Sequence, residues 1–266
     1  MVTCRPDISF PVTKLSQYSV QPSRIHFEAI KQLYLYLKAT KSDGIYYWRK
    51  TPRKDLPIAS LPKLQDATYT TDIPPQDGQT LVTASDSDHA TDSTHRKSVT
   101  GIVHHLAGGT ILYKTRYQDV VALSTSEAEF IAAAEAGKQI LYLRSILHDI
   151  GIPQHEATTL YEDNMGALLM ANAQKPTKRT KHMDTRHFAL QDWVDRDLII
   201  LRRINTSDNY SDAMTKPLSR ILFYRHMEYI QGKIIPTYAQ MHQDKSRTQP
   251  LQRSVTPTIN MMTYSI

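Results

Sequence analysis

The sequence predicts an α/β chain: a mixed five-stranded sheet flanked by helices, preceded by a small helical piece. Three observations predict it. β-prone runs cluster at Thr80–Ser85, Val99–Leu106 and Thr110–Thr115, the last two joined by Ala107-Gly108-Gly109, so these runs read as a three-strand meander. A long helical pattern, Ser126–Ile150, follows directly. Two further strand-like runs, Thr158–Tyr161 and Leu198–Arg203, then alternate with helical stretches. The order βββαβααβα puts helices on both faces of a mixed sheet in a domain of about 150 residues.

Taken in order, Pro22–Thr40 sets Ile30, Leu33, Tyr34 and Leu37 at helical spacing, with Lys31 and Lys38 elsewhere on the circumference. Gly44 ends that helix, and Ile45–Trp48 reads as a short strand. Residues 1–50 therefore form an N-terminal helical piece. Pro52, Pro57, Pro62, Pro74 and Pro75 make 51–76 a linker. The main domain spans 77–234, with helices at 164–173 and 183–195 and a last helix at 212–231. After Pro236 the chain turns to Gln, Ser, Thr, Met and basic residues without apolar periodicity, so 235–266 reads as a disordered tail.

Composition narrows the classes. Of 266 residues, 40% are hydrophobic and 22% charged, with 9 glycines, which fits a packed chain and excludes a collagen-like or wholly disordered one. Cys4 stands alone, so an intrachain disulfide and a thiolate metal cage are both excluded, and a reducing intracellular setting fits. No window approaches the roughly 18 uninterrupted apolar residues of a membrane span, so no membrane partner is expected. A net charge of +6 and a pI near 9.2 lean toward a polyanionic partner.

The informative residues are acids at element ends. Asp86 closes the first strand, Glu129 opens the long helix, Asp163 closes the fourth strand and Asp212 opens the final helix. In an open α/β sheet these ends share one rim, so the four acids can converge. Carboxylate oxygens are hard ligands suited to Mg²⁺ or Mn²⁺, and two such ions clamp a phosphodiester during in-line attack by water. On the long helix, Ala132, Ala136, Ile140, Leu143, Leu147 and Ile150 form a buried stripe that Glu129 extends. Glu127 lies about 200° away and follows Ser124 by three, which suits a capping box. Ser126 precedes Glu129 by three as well, so a capping role for Glu129 also stands, and Asp86 and Asp88 share one face of the strand.

Several words of this sequence resemble copia-type retrotransposon Pol polyproteins, in the stretch where reverse transcriptase ends and RNase H follows. They include Arg5-Pro6-Asp7-Ile8-Ser9-Phe10, Ser85-Asp86-Ser87-Asp88, Ser98-Val99-Thr100-Gly101, Leu123-Ser124-Thr125-Ser126-Glu127-Ala128-Glu129-Phe130, Glu162-Asp163-Asn164, Arg179-Thr180-Lys181-His182-Met183-Asp184 and Asp212-Ala213-Met214-Thr215-Lys216. The resemblance implies an RNase H-like fold with a reverse-transcriptase thumb-like piece before it. It also implies cleavage of the RNA strand of RNA·DNA hybrids, with two Mg²⁺ ions (or Mn²⁺) held by Asp86, Glu129, Asp163 and Asp212. A hybrid and the remainder of a Pol polyprotein are the implied partners. The chain departs from the family in carrying His89 after its second acid, and in lacking a histidine between Asn205 and Ser211. Tyr-x-Asp-Asp is absent too, so polymerase activity is not expected.

Lys175, Lys178, Arg179, Lys181 and Arg186 form a basic run suited to the phosphates of a hybrid, with a solvated basic face as the plainer reading. Tyr34, Tyr36, Tyr46, Tyr47 and Trp48 fit packing of the N-terminal piece better than base stacking. Two functions follow: a metal-dependent ribonuclease, or a catalytically silent fragment that binds nucleic acid.

Overall fold

The computed structural model describes residues 4–47, 80–91, 96–172 and 185–233. The linker and tail expected at 51–76 and 235–266 lie outside them.

The expected mixed five-stranded sheet flanked by helices is observed. Five strands, β1 (Val82–Asp88), β2 (Val99–Leu106), β3 (Gly109–Tyr117), β4 (Thr158–Glu162) and β5 (Ile199–Arg203), form one sheet in the order β3-β2-β1-β4-β5. β1, β2 and β3 are antiparallel neighbours, whereas β4 runs parallel to both β1 and β5. The β2–β3 hairpin turns on Ala107 and Gly108, both at positive φ (53° and 77°), the backbone that a two-residue turn needs to follow strand twist.

Side-chain alternation divides the core into two layers. Leu81, Ile102, Leu160 and Ile199 pack under α3 (Thr125–Asp149), through Ala136, Ile140, Leu143 and Leu147. That is the predicted stripe as far as Leu147; Ile150, its last expected member, lies past the helix end and is exposed. Val82, Ala84, Val103 and Tyr161 face the other way, against Tyr210, Met214, Met227, Tyr229 and Ile230. β1 is thus covered on both sides, and Val82 to Ser87 are all buried although apolar and polar residues alternate at its start. α4 (Met165–Ala171) and α5 (Thr185–Asp195) complete the first layer, and Trp193 packs against it, partly buried.

Two expectations are corrected. The helix expected over 212–231 is instead a 3-10 turn, Tyr210–Met214, followed by α6, Arg220–Ile230, whose N-cap Ser219 accepts from the Leu222 amide. Pro217 is the physical reason: it lacks an N–H and crowds the residue before it out of helical geometry. The strand expected at Ile45–Trp48 is absent over 45–47, where Tyr46 donates a single backbone bond to Gln231 (2.8 Å). One run of β-prone residues makes no strand unless a ladder is offered to it.

The N-terminal piece folds as α1 (Ser9–Ser16), which was not foreseen, and α2 (Arg24–Ala39). Asp7 is buried and accepts from the Arg5 guanidinium and the Tyr36 hydroxyl, both at 2.7 Å. Arg5 also donates to Thr40, at the end of α2. Tyr47 donates to the Thr110 carbonyl (2.8 Å), and Lys233 pairs with Asp43 (3.2 Å), so residues 4–47 are fastened to the sheet body.

Candidate metal centre

The four predicted acids sit where the C-terminal ends of β1 and β4 meet the start of α3 and the 210–214 turn. Strand parity decides who faces whom. Val82 and Ala84 look toward α6, so Asp86 continues that side, and Ser85 continues the α3 side with Leu81. On β4, Tyr161 shares the α6 side and Leu160 the α3 side, which sends Glu162 toward α3. Asp163, just past the strand, belongs to both sides. One oxygen each from Asp86, Asp163 and Asp212 lie within 4.8 Å of one another, and so do oxygens of Glu129, Glu162 and Asp163.

Local devices set each group. Asn209 donates to the Ser85 carbonyl (3.0 Å) and accepts from the Ser211 amide (3.3 Å), clipping the 3-10 turn onto β1. Thr215 then donates its hydroxyl to Asp86. At α3, Ser124 is the N-cap and accepts from the Glu127 amide, while Glu127 accepts from Leu123 N–H (2.8 Å). Glu127 is therefore the capping acid, and Glu129 is left to face the cluster. Gln118 donates to the Ala128 carbonyl (2.9 Å) and the Thr100 hydroxyl (3.1 Å), pinning the helix start to the sheet. Gly166 lets α4 press on α3: a Cβ there would meet Ser126 Oγ at 2.3 Å. That contact holds the β4–α4 corner, with its two acids, beside Glu129.

Electrostatics record the crowding. Glu129 is raised well above the usual carboxylate range, first by burial and then by Asp86, Glu162 and Asp163. Glu162 is raised in the same way by burial, although the Asn164 amide and the Ser85 hydroxyl (3.2 and 3.0 Å) bond to it. Asp163 is raised by burial and by Asp86, and Asp212 is pushed up to about 8 by the same two causes. Lys216 enters from the rim, 2.9 Å from Asp212 and 3.8 Å from Asp86. Burial opposes its charge, but the two carboxylates outweigh that and hold it above its ordinary value.

The donor set fits a hard divalent cation. It is all oxygen, and Glu129, 4% exposed, keeps an Oε2 that has no hydrogen-bond partner among the described residues. Buried acids that raise one another call for a compensating positive charge beyond one lysine. Asp88 is partly buried, raised by burial and by Asp86, and turned to the same strand face; the carboxylate that reaches both Asp163 and Asp212 is that of Asp86.

Sequence reasoning missed Glu162 and Lys216. Glu162 is fully buried, and its signal was parity: two residues after the core Leu160, it had to point inward. Lys216 stands four residues after Asp212, which puts the two on one side of the turn. Of the predicted phosphate ligands, Lys175, Lys178, Arg179 and Lys181 lie outside the described residues, and only the backbone of Arg186 is described, in α5.

No protein-family model matches the chain. It is 31% identical over 223 residues to the retrovirus-related Pol polyprotein from transposon TNT 1-94 of Nicotiana tabacum, which covers 84% of this chain and 15% of that protein. The Pol polyprotein from transposon RE2 of Arabidopsis thaliana is 27% identical over 221 residues, 82% of this chain and 13% of that one. The chain is also 30% identical over 143 residues to the secreted RxLR effector protein 161 of Plasmopara viticola, 54% of this chain and 82% of the effector. Among solved structures, LC11-RNase H1, isolated from compost, aligns with 52% of this chain and 93% of its own at a TM-score of 0.41 and 13% identity. The chain spans about a seventh of the Pol polyproteins it matches. Matched over 84% of its length, it belongs to the retrovirus-related Pol polyproteins of copia-type transposons.

Proposed function

We propose that this chain is a metal-dependent endoribonuclease that cuts the RNA strand of RNA·DNA hybrids during retrotransposon replication. The observation that carries the reading is the pair of carboxylate groups sharing Asp163, one with Asp86 and Asp212 and the other with Glu129 and Glu162. Two cation positions hinged on one acid suit a phosphodiester gripped from both sides. Bound Mg²⁺ ions supply an activated water and charge compensation at the departing 3′ oxygen.

The remaining steps belong to the protein. Asp86, Glu129, Asp163 and Asp212 would hold the ions, and the Thr215 hydroxyl fixes which way the Asp86 carboxylate presents its lone pairs. Glu129, at the head of α3, is the acid this reading assigns to accept from a 2′-hydroxyl, the group by which RNA differs from DNA. Phosphates flanking the cut are held by Lys175, Lys178, Arg179, Lys181 and Arg186. Such contacts carry no sequence information and make affinity fall with salt.

The test is purified chain on an end-labelled hybrid. Mg²⁺-dependent release of RNA fragments bearing 5′-phosphates, lost in Asp86→Asn and Asp163→Asn proteins that remain folded, is the expected result. Salt-sensitive hybrid binding without cleavage in either Mg²⁺ or Mn²⁺ would leave the silent binding fragment as the correct reading.

A further inference from the structure

We propose that Lys216 contends with a divalent ion for the Asp86 and Asp212 carboxylates and so sets how tightly that position takes its ion; the inference rests on the metal-site reading above. The ammonium lies 2.9 Å from Asp212 Oδ1 and 3.8 Å from Asp86 Oδ2, and those two acids with Asp163 form one of the carboxylate groups. A Mg²⁺ or Mn²⁺ ion draws on the same oxygens, and two cations a few ångströms apart repel.

The surroundings aim the lysine inward. Thr215 is bonded to Asp86, and Pro217 follows immediately, so the backbone on either side of Lys216 is constrained. Its side chain is 32% exposed, against 2% and 3% for the acids it touches, so the amine has a way out toward solvent that the carboxylates lack. The four-carbon stem allows that exit without moving the backbone. Lys216 therefore behaves as a displaceable counter-charge: it offsets repulsion among the acids and yields its place as the ion enters. It is a positioning residue for the metal, and arginine can substitute for it in charge.

Calorimetric titration of the full chain with Mn²⁺ tests this. Lys216→Met is expected to bind its first Mn²⁺ about tenfold more tightly than wild type, because a competing charge has gone. Lys216→Arg should stay within about twofold, since the charge remains. A purely structural lysine gives the opposite pattern, a less stable Lys216→Met protein with equal or weaker Mn²⁺ affinity, and that result overturns the proposal. Should Lys216→Met fail to fold, acylation of wild-type lysines read by mass spectrometry serves instead. Labelling of Lys216 should rise as Mn²⁺ saturates, and unchanged labelling alongside measured Mn²⁺ uptake overturns the idea. Wild-type protein that takes up no Mn²⁺ at all refutes the metal-site reading itself, a different outcome from either.

Discussion

Gly101 stands directly across the β1–β2 ladder from Asp86, and a methyl group on it would lie 2.5 Å from Thr215 Cγ2 and 2.8 Å from Met214 Cβ. The bare strand surface is what lets the 210–214 turn descend onto the sheet far enough for Asp212 to reach Asp86.

Gly101→Ala should therefore damage the metal centre without touching a ligand. The added carbon meets a methyl, a buried Cβ and the Ser211 carbonyl rather than the end of a flexible chain, so the turn must lift. Overpacking of this kind costs about 1–3 kcal/mol. A lowered melting temperature together with weakened Mn²⁺ binding is expected. Normal Mn²⁺ affinity in a destabilised Gly101→Ala protein would show that the turn does not set the site.

Asp163 and Asp212 should differ in reach. Asp163 belongs to both carboxylate groups, and Asp212 to one. Asp163→Asn is expected to weaken all Mn²⁺ uptake by more than about 100-fold, since even groups that merely support ligands cost 10- to 100-fold. Asp212→Asn should spare one of two binding steps. Stoichiometry from titration distinguishes them, and equal losses in both variants would contradict the shared-acid geometry.

Stability in EDTA should fall as pH rises from about 7.5 to 8.5. Asp212 holds its proton up to about 8, and Glu129 and Glu162 are also raised, whereas the unfolded chain gives up those protons near its ordinary carboxylate values. The folded state thus binds more protons in this window, and stability declines by up to about 1.4 kcal/mol per pH unit for each carboxyl still protonated. Buried His104, His105 and His226, lowered to about 4, about 3 and about 3, slope the opposite way, and their contribution is complete only about one unit above the ordinary histidine value of about 6.5, which is why the window opens at about 7.5. Saturating Mn²⁺ should remove the decline, and Glu162→Gln should shrink it. A flat profile in EDTA, by chemical denaturation at each pH, would show that these acids are already ionised in the fold.

Much of this architecture was legible because it rests on local rules. β-prone runs marked β1 to β5, a three- and four-residue stripe marked α3, and parity with that stripe separated Glu129 from Glu127. What escaped depended on tertiary partners. The Ile45–Trp48 run has strand-like residues but forms no ladder over 45–47, although Tyr47 reaches Thr110 at the start of β3, and the 212–231 pattern concealed a break that Pro217 dictates. Glu162 was overshadowed by its neighbour: a fully buried glutamate becomes intelligible only once Ser85 and the Asn164 amide are seen to satisfy it. Lys216 could not be weighed until the turn had brought Asp212 and Asp86 together.

The N-terminal piece should unfold with the sheet rather than before it. Asp7 is buried, and its charge is met by Arg5 while the Tyr36 hydroxyl fills a further lone pair; the same arginine ties the end of α2 through Thr40. From there the chain reaches the body at three separated places: Tyr46 on Gln231, Tyr47 on Thr110 and Lys233 on Asp43. Removing one donor from a buried carboxylate costs about 1–3 kcal/mol, because the oxygen left behind has lost water as well. Tyr36→Phe is thus expected to lower the midpoint of a single cooperative transition, seen alike by far-ultraviolet circular dichroism and tryptophan fluorescence. Two separated transitions, with only the first shifted by Tyr36→Phe, would instead make residues 4–47 an independent unit. Cooperative behaviour also bears on the site. α1 lies along β3, where Thr13 reaches the Thr115 carbonyl (3.5 Å) and Gln17 accepts from Tyr117 (2.9 Å), so loosening the piece loosens the strand beside Gly101. Tyr36→Phe should accordingly weaken Mn²⁺ binding slightly, in proportion to the fraction unfolded and no further.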